Sequence, residues 1–252
     1  MCTLALYFQE FQDYPLIIAA NRDEFYSRPS GPPQVLWKEP VVFGGKDLLA
    51  GGTWLGVNEH GLVAGILNRR SENQGGAWSG RSRGLLCLDL LKSRNPAEAR
   101  RRLMDQNGSS YRPFNLLFAD SQEACVAYNV EAEIQWLRLE KGVHVLSNNA
   151  IFDPRSEKLD RAHALCSAAT RQVGGNLEAS FLTLFKGILA SHALGGEAKD
   201  PKAALCVHTR DYGTVSSTVI FYRNEERRFS YHHAPAPPCQ GEFQELSPVA
   251  VR

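Results

Sequence analysis

The chain has 252 residues, 43% hydrophobic and 22% charged, ordinary values for a folded protein that exclude a disordered or fibrous chain. Its 28 basic and 27 acidic side chains give a net charge of +1, so no overall positive excess directs it to nucleic acid or to an anionic membrane. Neither an internal repeat nor a break in composition divides residues 1–252, and a single domain is expected.

The start of the chain lacks a basic region, and Gln9 and Glu10 end its apolar run, so no secretory signal is expected. No window approaches the ~18 apolar residues of a membrane-spanning helix. A soluble, cytoplasmic protein is the expectation, with Cys2, Cys87, Cys125, Cys166, Cys206 and Cys239 kept as thiols. Cys87, Cys125, Cys166 and Cys206 lie in apolar runs and read as core residues. There is no C-x-x-C pair, His60, His144 and the adjacent His232 and His233 lack ligand spacing, and no Gly-Lys-Ser/Thr follows the paired glycines. Neither a metal nor a cofactor is expected.

In chain order, residues 3–8 and 16–20 predict a strand hairpin. Residues 28–40, rich in Pro and Gly, predict an irregular loop. Residues 53–57 and 62–67 predict a second hairpin, with Gly61 supplying positive φ in the turn. A polar, Gly-rich loop is expected over 68–83. Helices are expected over 84–93 and 96–104, the second with Asn95 as cap and Pro96 in its first turn. Four apolar runs over 114–118, 124–130, 134–139 and 143–146 predict a meander. Two amphipathic helices follow, over 155–171 and around Phe181, Phe185 and Leu189. Strands over 218–222 and 228–232 precede a Pro-rich, extended tail. Hairpins and meanders imply antiparallel sheet, hence an α+β fold.

Cys2 carries the sharpest chemical signal. Methionine aminopeptidases remove Met1 before a small side chain, which leaves a thiol and a free α-amine on one residue. An α-amine titrates near ~7.7–8.0, so roughly a sixth is neutral at pH 7 and can take the proton of its own thiol. Asn21-Arg22-Asp23-Glu24 gathers polar groups at the end of the second strand. Asn68 ends the second hairpin and Asn148 follows an apolar run, and each carries an amide able to stabilise an oxyanion. Trp54 and Trp78 lie on or beside Gly-rich segments, Trp54 reading as a core residue and Trp78 as nearer a pocket.

Met1-Cys2-Thr3, Asn21-Arg22-Asp23-Glu24, Gly52-Thr53-Trp54-Leu55-Gly56, Asn58 with Gly61, Asn68-Arg69, and later Gly213-Thr214 with Ser216-Ser217-Thr218 follow one another in order. In this the chain resembles the NRDE family, also called the transport and Golgi organization 2 family, over essentially its whole length. The resemblance implies an N-terminal-nucleophile hydrolase fold, an αββα sandwich of two mostly antiparallel sheets between helix layers. More distantly the chain resembles choloylglycine hydrolases and penicillin V acylases, through Met-Cys-Thr, Asn58 to Leu62 before Asn68, and Leu146-Ser147-Asn148 before Phe152-Asp153. This likeness implies Cys2 as nucleophile, Asp23 as the carboxylate orienting its amine, and oxyanion or amine contacts from Asn68 and Asn148. Arg22 joins the catalytic set as a charge beside the thiol, and Asn21, Trp54 and Trp78 enter as binding residues.

Two positions depart from the relatives' pattern. Ala20 stands where the acylases carry an Arg, and Val215 where NRDE relatives commonly carry one, with Arg210 the only nearby substitute. Two function classes stay open: an N-terminal-cysteine amidohydrolase or acyltransferase acting on a small non-peptide amide, and a carrier of haem or a lipid-like ligand on the same scaffold.

Overall fold

A computed structural model describes residues 2–70, 79–149, 156–193 and 200–252. Strand β1 (Thr3–Phe8) turns back into β2 (Leu16–Phe25), as the two apolar runs predict. β3 (Ser30–Lys38) and β4 (Val41–Asp47) follow, and β5 (Leu55–Asn58) and β6 (Val63–Asn68) form the second hairpin, with Gly61 at φ +87° in its turn. Helices α1 (Arg83–Leu90) and α2 (Pro96–Met104) come next; the Asn95 side chain caps α2 by accepting from the Glu98 amide at 2.9 Å. Strands β7 (Phe114–Ala119), β8 (Ala124–Val130), β9 (Glu133–Arg138) and β10 (Gly142–Leu146) lead to helices α3 (Glu157–Ala169) and α4 (Leu177–Leu189). The chain closes with β11 (Tyr212–Arg223), β12 (Arg228–Ala234) and β13 (Gln244–Ala250).

The strands form two antiparallel sheets, ordered β10-β1-β2-β11-β12-β13 and β3-β4-β5-β6-β7-β8-β9. Leu4, Leu6, Ile18 and Ile220 of the first meet Leu55, Val57, Leu117 and Val126 of the second in a central core. Helices α1 and α2 cover the far face of the second sheet through Leu86, Leu90 and Leu103 against Leu62, Leu116 and Phe118. Helix α4 lays Phe181, Phe185 and Leu189 on Tyr7, Ile17 and Phe221 of the first sheet, and α3 adds Cys166 and Ala169. The layering is αββα. Helices cover both outer faces, so the central strands are apolar on both sides and read in sequence as continuous runs rather than alternations.

Four expectations are corrected. Residues 28–40 are not an irregular loop but hold β3, an edge strand. Pro32 and Pro33 are tolerated there because one side needs no ladder bonds, and register shifts at Gly31/Gln34 and Val35/Trp37 erase the alternation. The four-strand meander stops at three, because β10 crosses to the other sheet and pairs with β1. The tail is not simply extended: residues 237–241 turn, with the Gln240 and Gly241 amides donating to the Pro237 carbonyl, and β13 follows on the sheet edge. The helix expected over 84–93 ends at Leu90.

Candidate active site

The β1–β2 register pairs Thr3 with Asn21, which sets Cys2 at the open end of the first sheet. Its Sγ lies 3.3 Å from the Asp23 amide nitrogen and donates to the Asp23 carbonyl at 3.5 Å. Alternation along β2 then divides the motif. Arg22 faces the space between the sheets, where its guanidinium stacks 4.5 Å above the Trp54 ring. Asn21 and Asp23 face the helices. The Asp23 carboxylate accepts from the Thr214 hydroxyl at 2.6 Å, Thr214 in turn accepts from the Val207 amide at 2.9 Å, and the Tyr212 hydroxyl donates to the Asp23 carbonyl at 3.1 Å.

The Thr214–Asp23 contact depends on a bulge. Ser217 opposes Asn21 and Ser216 opposes Arg22, but Thr214 opposes Asp23, so Val215 is an extra residue in β11. Val215 is half-buried, and Arg210 is exposed and not part of the cavity wall.

Cys2 opens onto a cavity of about 480 Å³ whose wall includes Arg22, Asp23, Trp54 and Asn68. Five arginines, Arg22, Arg28, Arg81, Arg83 and Arg112, share that wall with the acidic residues Glu24 and Asp47. Arg28 is held by Asp47 at 2.6 Å and Arg81 by Asp89 and the Tyr111 hydroxyl. Arg83 donates to the Pro113 carbonyl at 2.8 Å; burial, followed by the like charge of Arg112, pushes it down to about 10. The α1 N-terminus is drawn into the wall by a close approach: a Cβ on Gly52 would stand 2.1 Å from the Gly84 backbone, and the Thr53 amide donates to the Gly84 carbonyl. A larger cleft, of about 750 Å³, lies elsewhere between Glu59, Lys92 and Arg102, and among the described residues no cysteine, serine or threonine lines it.

Burial and the Asp23 carboxylate raise the Cys2 thiol, with Arg22 acting the other way. Lys158, at the start of α3, is buried; burial lowers its ammonium, and Asp23 and Cys2 draw it back up. Lys158 therefore stands near Asp23 and Cys2 from the α3 side, a residue that no motif in the sequence marks. The arginines at 28, 81, 83 and 112 were likewise missed, since each reads alone as a solvated charge.

The expected site residues do not all converge. Asn68 is exposed on the cavity wall at the end of β6. Asn148 is buried two residues beyond Leu146, as Cys2 is two before its partner Leu4, so both extend the same end of paired strands. Asn115 fixes the segment by donating to the Ser147 and Asn149 carbonyls, and the Asn148 carboxamide oxygen has no hydrogen-bond partner among the described residues. Asn21 is not in the cavity wall. It donates to the Leu189 and Leu205 carbonyls, both at 2.9 Å, and accepts from Ser217, which ties β2 to the end of α4 and to β11. Trp54 is half-buried and serves both core and cavity. Trp78 lies outside the described residues.

Two antiparallel sheets between helix layers, with Cys2 directly ahead of β1, give the layered architecture of the N-terminal-nucleophile hydrolase fold. Penicillin V acylase from Agrobacterium tumefaciens matches it with a TM-score of 0.57 at 13% identity, covering 100% of this chain and 99% of the acylase. A variant of the conjugated bile acid hydrolase from Clostridium perfringens gives 0.60 at 13% identity, over 100% and 98%. At such identity the likeness is one of fold. The transport and Golgi organisation 2 model matches residues 1–233, and the chain belongs to that family. The human transport and Golgi organization protein 2 homolog is 31% identical over 232 residues, 82% of each chain. No helix among the described residues is long and apolar enough to cross a membrane.

Proposed function

We propose that the chain, once Met1 is removed, is an N-terminal-cysteine amidohydrolase for small non-peptide amides that carry a carboxylate or phosphate near the scissile bond. The observation carrying this reading is the Cys2 thiol, fixed on the Asp23 peptide, at the wall of a cavity with five arginines. The Cys2 thiol adds to the amide carbonyl while its α-amine takes the thiol proton, and the negative charge passes to the carbonyl oxygen. Amide donors of Asn68 and Asn148 stabilise that oxygen, each by ~2.7–4 kcal/mol where preorganised. The C–N bond then breaks, the α-ammonium returns its proton to the leaving amine, and water hydrolyses the thioester. Asp23, fixed by Thr214, orients the α-amine.

The thiol's state favours one other reading. While Met1 is in place, burial and Asp23 keep the thiol protonated, and the cavity is then a carrier's binding site without a nucleophile. The arginines suit an anionic ligand better than an apolar one.

The test is turnover by chain that begins at Cys2, on acyl amides paired as anionic and neutral versions. Faster hydrolysis of the anionic member, abolished in Cys2→Ala, is expected. Ligand binding without turnover in fully processed protein would favour the carrier.

A further inference from the structure

Away from the cavity, four side chains from three segments converge. Cys206 and His208 lie between α4 and β11, His192 follows α4, and Cys239 sits in the turn between β12 and β13. Their ligand atoms all lie within 4.8 Å of one another. The Cys206 and Cys239 sulfurs are 3.7 Å apart, and His208 Nε2 is 3.5 Å from the first and 3.3 Å from the second.

These lengths are those of a coordination polyhedron. With metal–sulfur bonds of ~2.3 Å and metal–nitrogen bonds of ~2.0–2.1 Å, a tetrahedron has edges of ~3.8 Å between sulfurs and ~3.5 Å between sulfur and nitrogen. Three of the four ligands already form such a face. The fourth, His192, has its ring 5.1 Å from that of His208, and its Nδ1 meets the Cys206 carbonyl at 3.1 Å. That contact is the outer hydrogen bond which orients a ligating imidazole and leaves Nε2 for the metal. Two thiols with two imidazoles in tetrahedral array is zinc chemistry, and four protein ligands make a closed, structural site.

We propose that His192, Cys206, His208 and Cys239 hold one structural zinc ion. Binding replaces the two thiol protons, which leave to solvent, and gives a neutral centre with two thiolates and two imidazoles. The ion staples the segment after α4 to the β12–β13 turn. That segment also supports the candidate active site: the Leu205 carbonyl receives Asn21, and the Val207 amide holds Thr214 against Asp23. The sequence hides the site because only Cys206 and His208 are near neighbours.

The test is metal analysis of reduced full-length protein after zinc loading and dialysis, followed by cobalt replacement. About one zinc per chain is expected, and the cobalt form should show the intense visible bands of tetrahedral coordination with thiolate charge-transfer absorption. Cys239→Ser and His208→Gln should lose both signals, whereas Cys2→Ala should keep them. Wild-type protein is sufficient if the ligand variants do not fold, because zinc should also shield two of its thiols from a thiol reagent. Reduced wild type that retains no metal, an octahedral cobalt spectrum, or full stoichiometry in folded Cys239→Ser would overturn the proposal.

Discussion

The Cys2 sulfur lies 3.3 Å from the amide nitrogen of Asp23 and 3.5 Å from its carbonyl oxygen, so one peptide unit of β2 fixes the thiol. The carboxylate of the same residue points to the other side of the sheet, where Thr214 holds it. One residue therefore meets the sulfur through its backbone while its side chain is held from the opposite face.

Alkylation tests this division. In protein that retains Met1, burial and the Asp23 carboxylate raise the thiol, so iodoacetamide labelling should be slow at neutral pH and climb only above the ordinary thiol range near ~8.5. Asp23→Asn removes one of those influences and should speed labelling in that form. In protein processed to Cys2, the same variant should slow turnover by roughly 10²-fold or more, as loss of the group that orients the base does. Rates by intact mass and by substrate assay separate the two effects.

The arginine wall should respond to anions. Burial and Arg112 push Arg83 down to about 10, so an anion in the cavity relieves like-charge crowding. Saturating phosphate, at ~100 times its Kd, should stabilise the fold by about 2.7 kcal/mol, or several degrees in Tm. Arg83→Gln should remove most of that shift while leaving Tm without phosphate unchanged or higher. Thermal melts with and without phosphate, at matched ionic strength, read this out.

Stability should fall in mild acid through His233. Burial lowers this imidazole to about 4, and its Nδ1 faces the Thr218 hydroxyl at 3.0 Å. The unfolded imidazole takes its proton near ~6.5 and the folded one only near 4, so stability is complete above 6.5 and is lost between 6.5 and 4. The loss reaches about 3 kcal/mol. Denaturant titrations at pH 7, 5.5 and 4 should show it, and His233→Gln should flatten the trend.

Asn21 should matter for folding rather than for substrate. Asn21→Ala strands the Leu189 and Leu205 carbonyls and the Ser217 hydroxyl in the interior. A loss on the order of 2–3 kcal/mol is expected from denaturant midpoints, with KM little changed in the folded fraction.

The sequence made the central layers legible because continuous apolar runs such as 114–118 and 16–20 have few interpretations. Edge strands β3 and β13 escaped for the converse reason: an edge admits prolines and register shifts that erase the periodic signal. At the candidate site, Cys2 and Asp23 were legible as motif residues, and their juxtaposition follows from one hairpin register. Asn21 stands apart from Arg22 and Glu24 of the same motif, which line the cavity, because alternation along β2 turns its side chain to two backbone carbonyls. Arg28, Arg81, Arg83 and Arg112 come from separate segments, and only the fold sums their charge. The His192, Cys206, His208 and Cys239 cluster is hidden similarly, because its members are spread along the chain and meet only across the fold.

The extra residue in β11 acts as a phase shifter. Had the strand run on in the register of Ser217 and Asn21, Val215 would stand opposite Asp23, placing a methyl-bearing side chain where a hydroxyl is needed. The insertion advances the pattern by one and brings Thr214 into that place. It also leaves position 215 outside the ladder, where side-chain identity is decoupled from the pairing on either side. A change of side chain at 215, even one between arginine and valine, therefore leaves the Thr214–Asp23 hydrogen bond in place, and the charge at this point of β11 can vary without redesigning the strand that carries it.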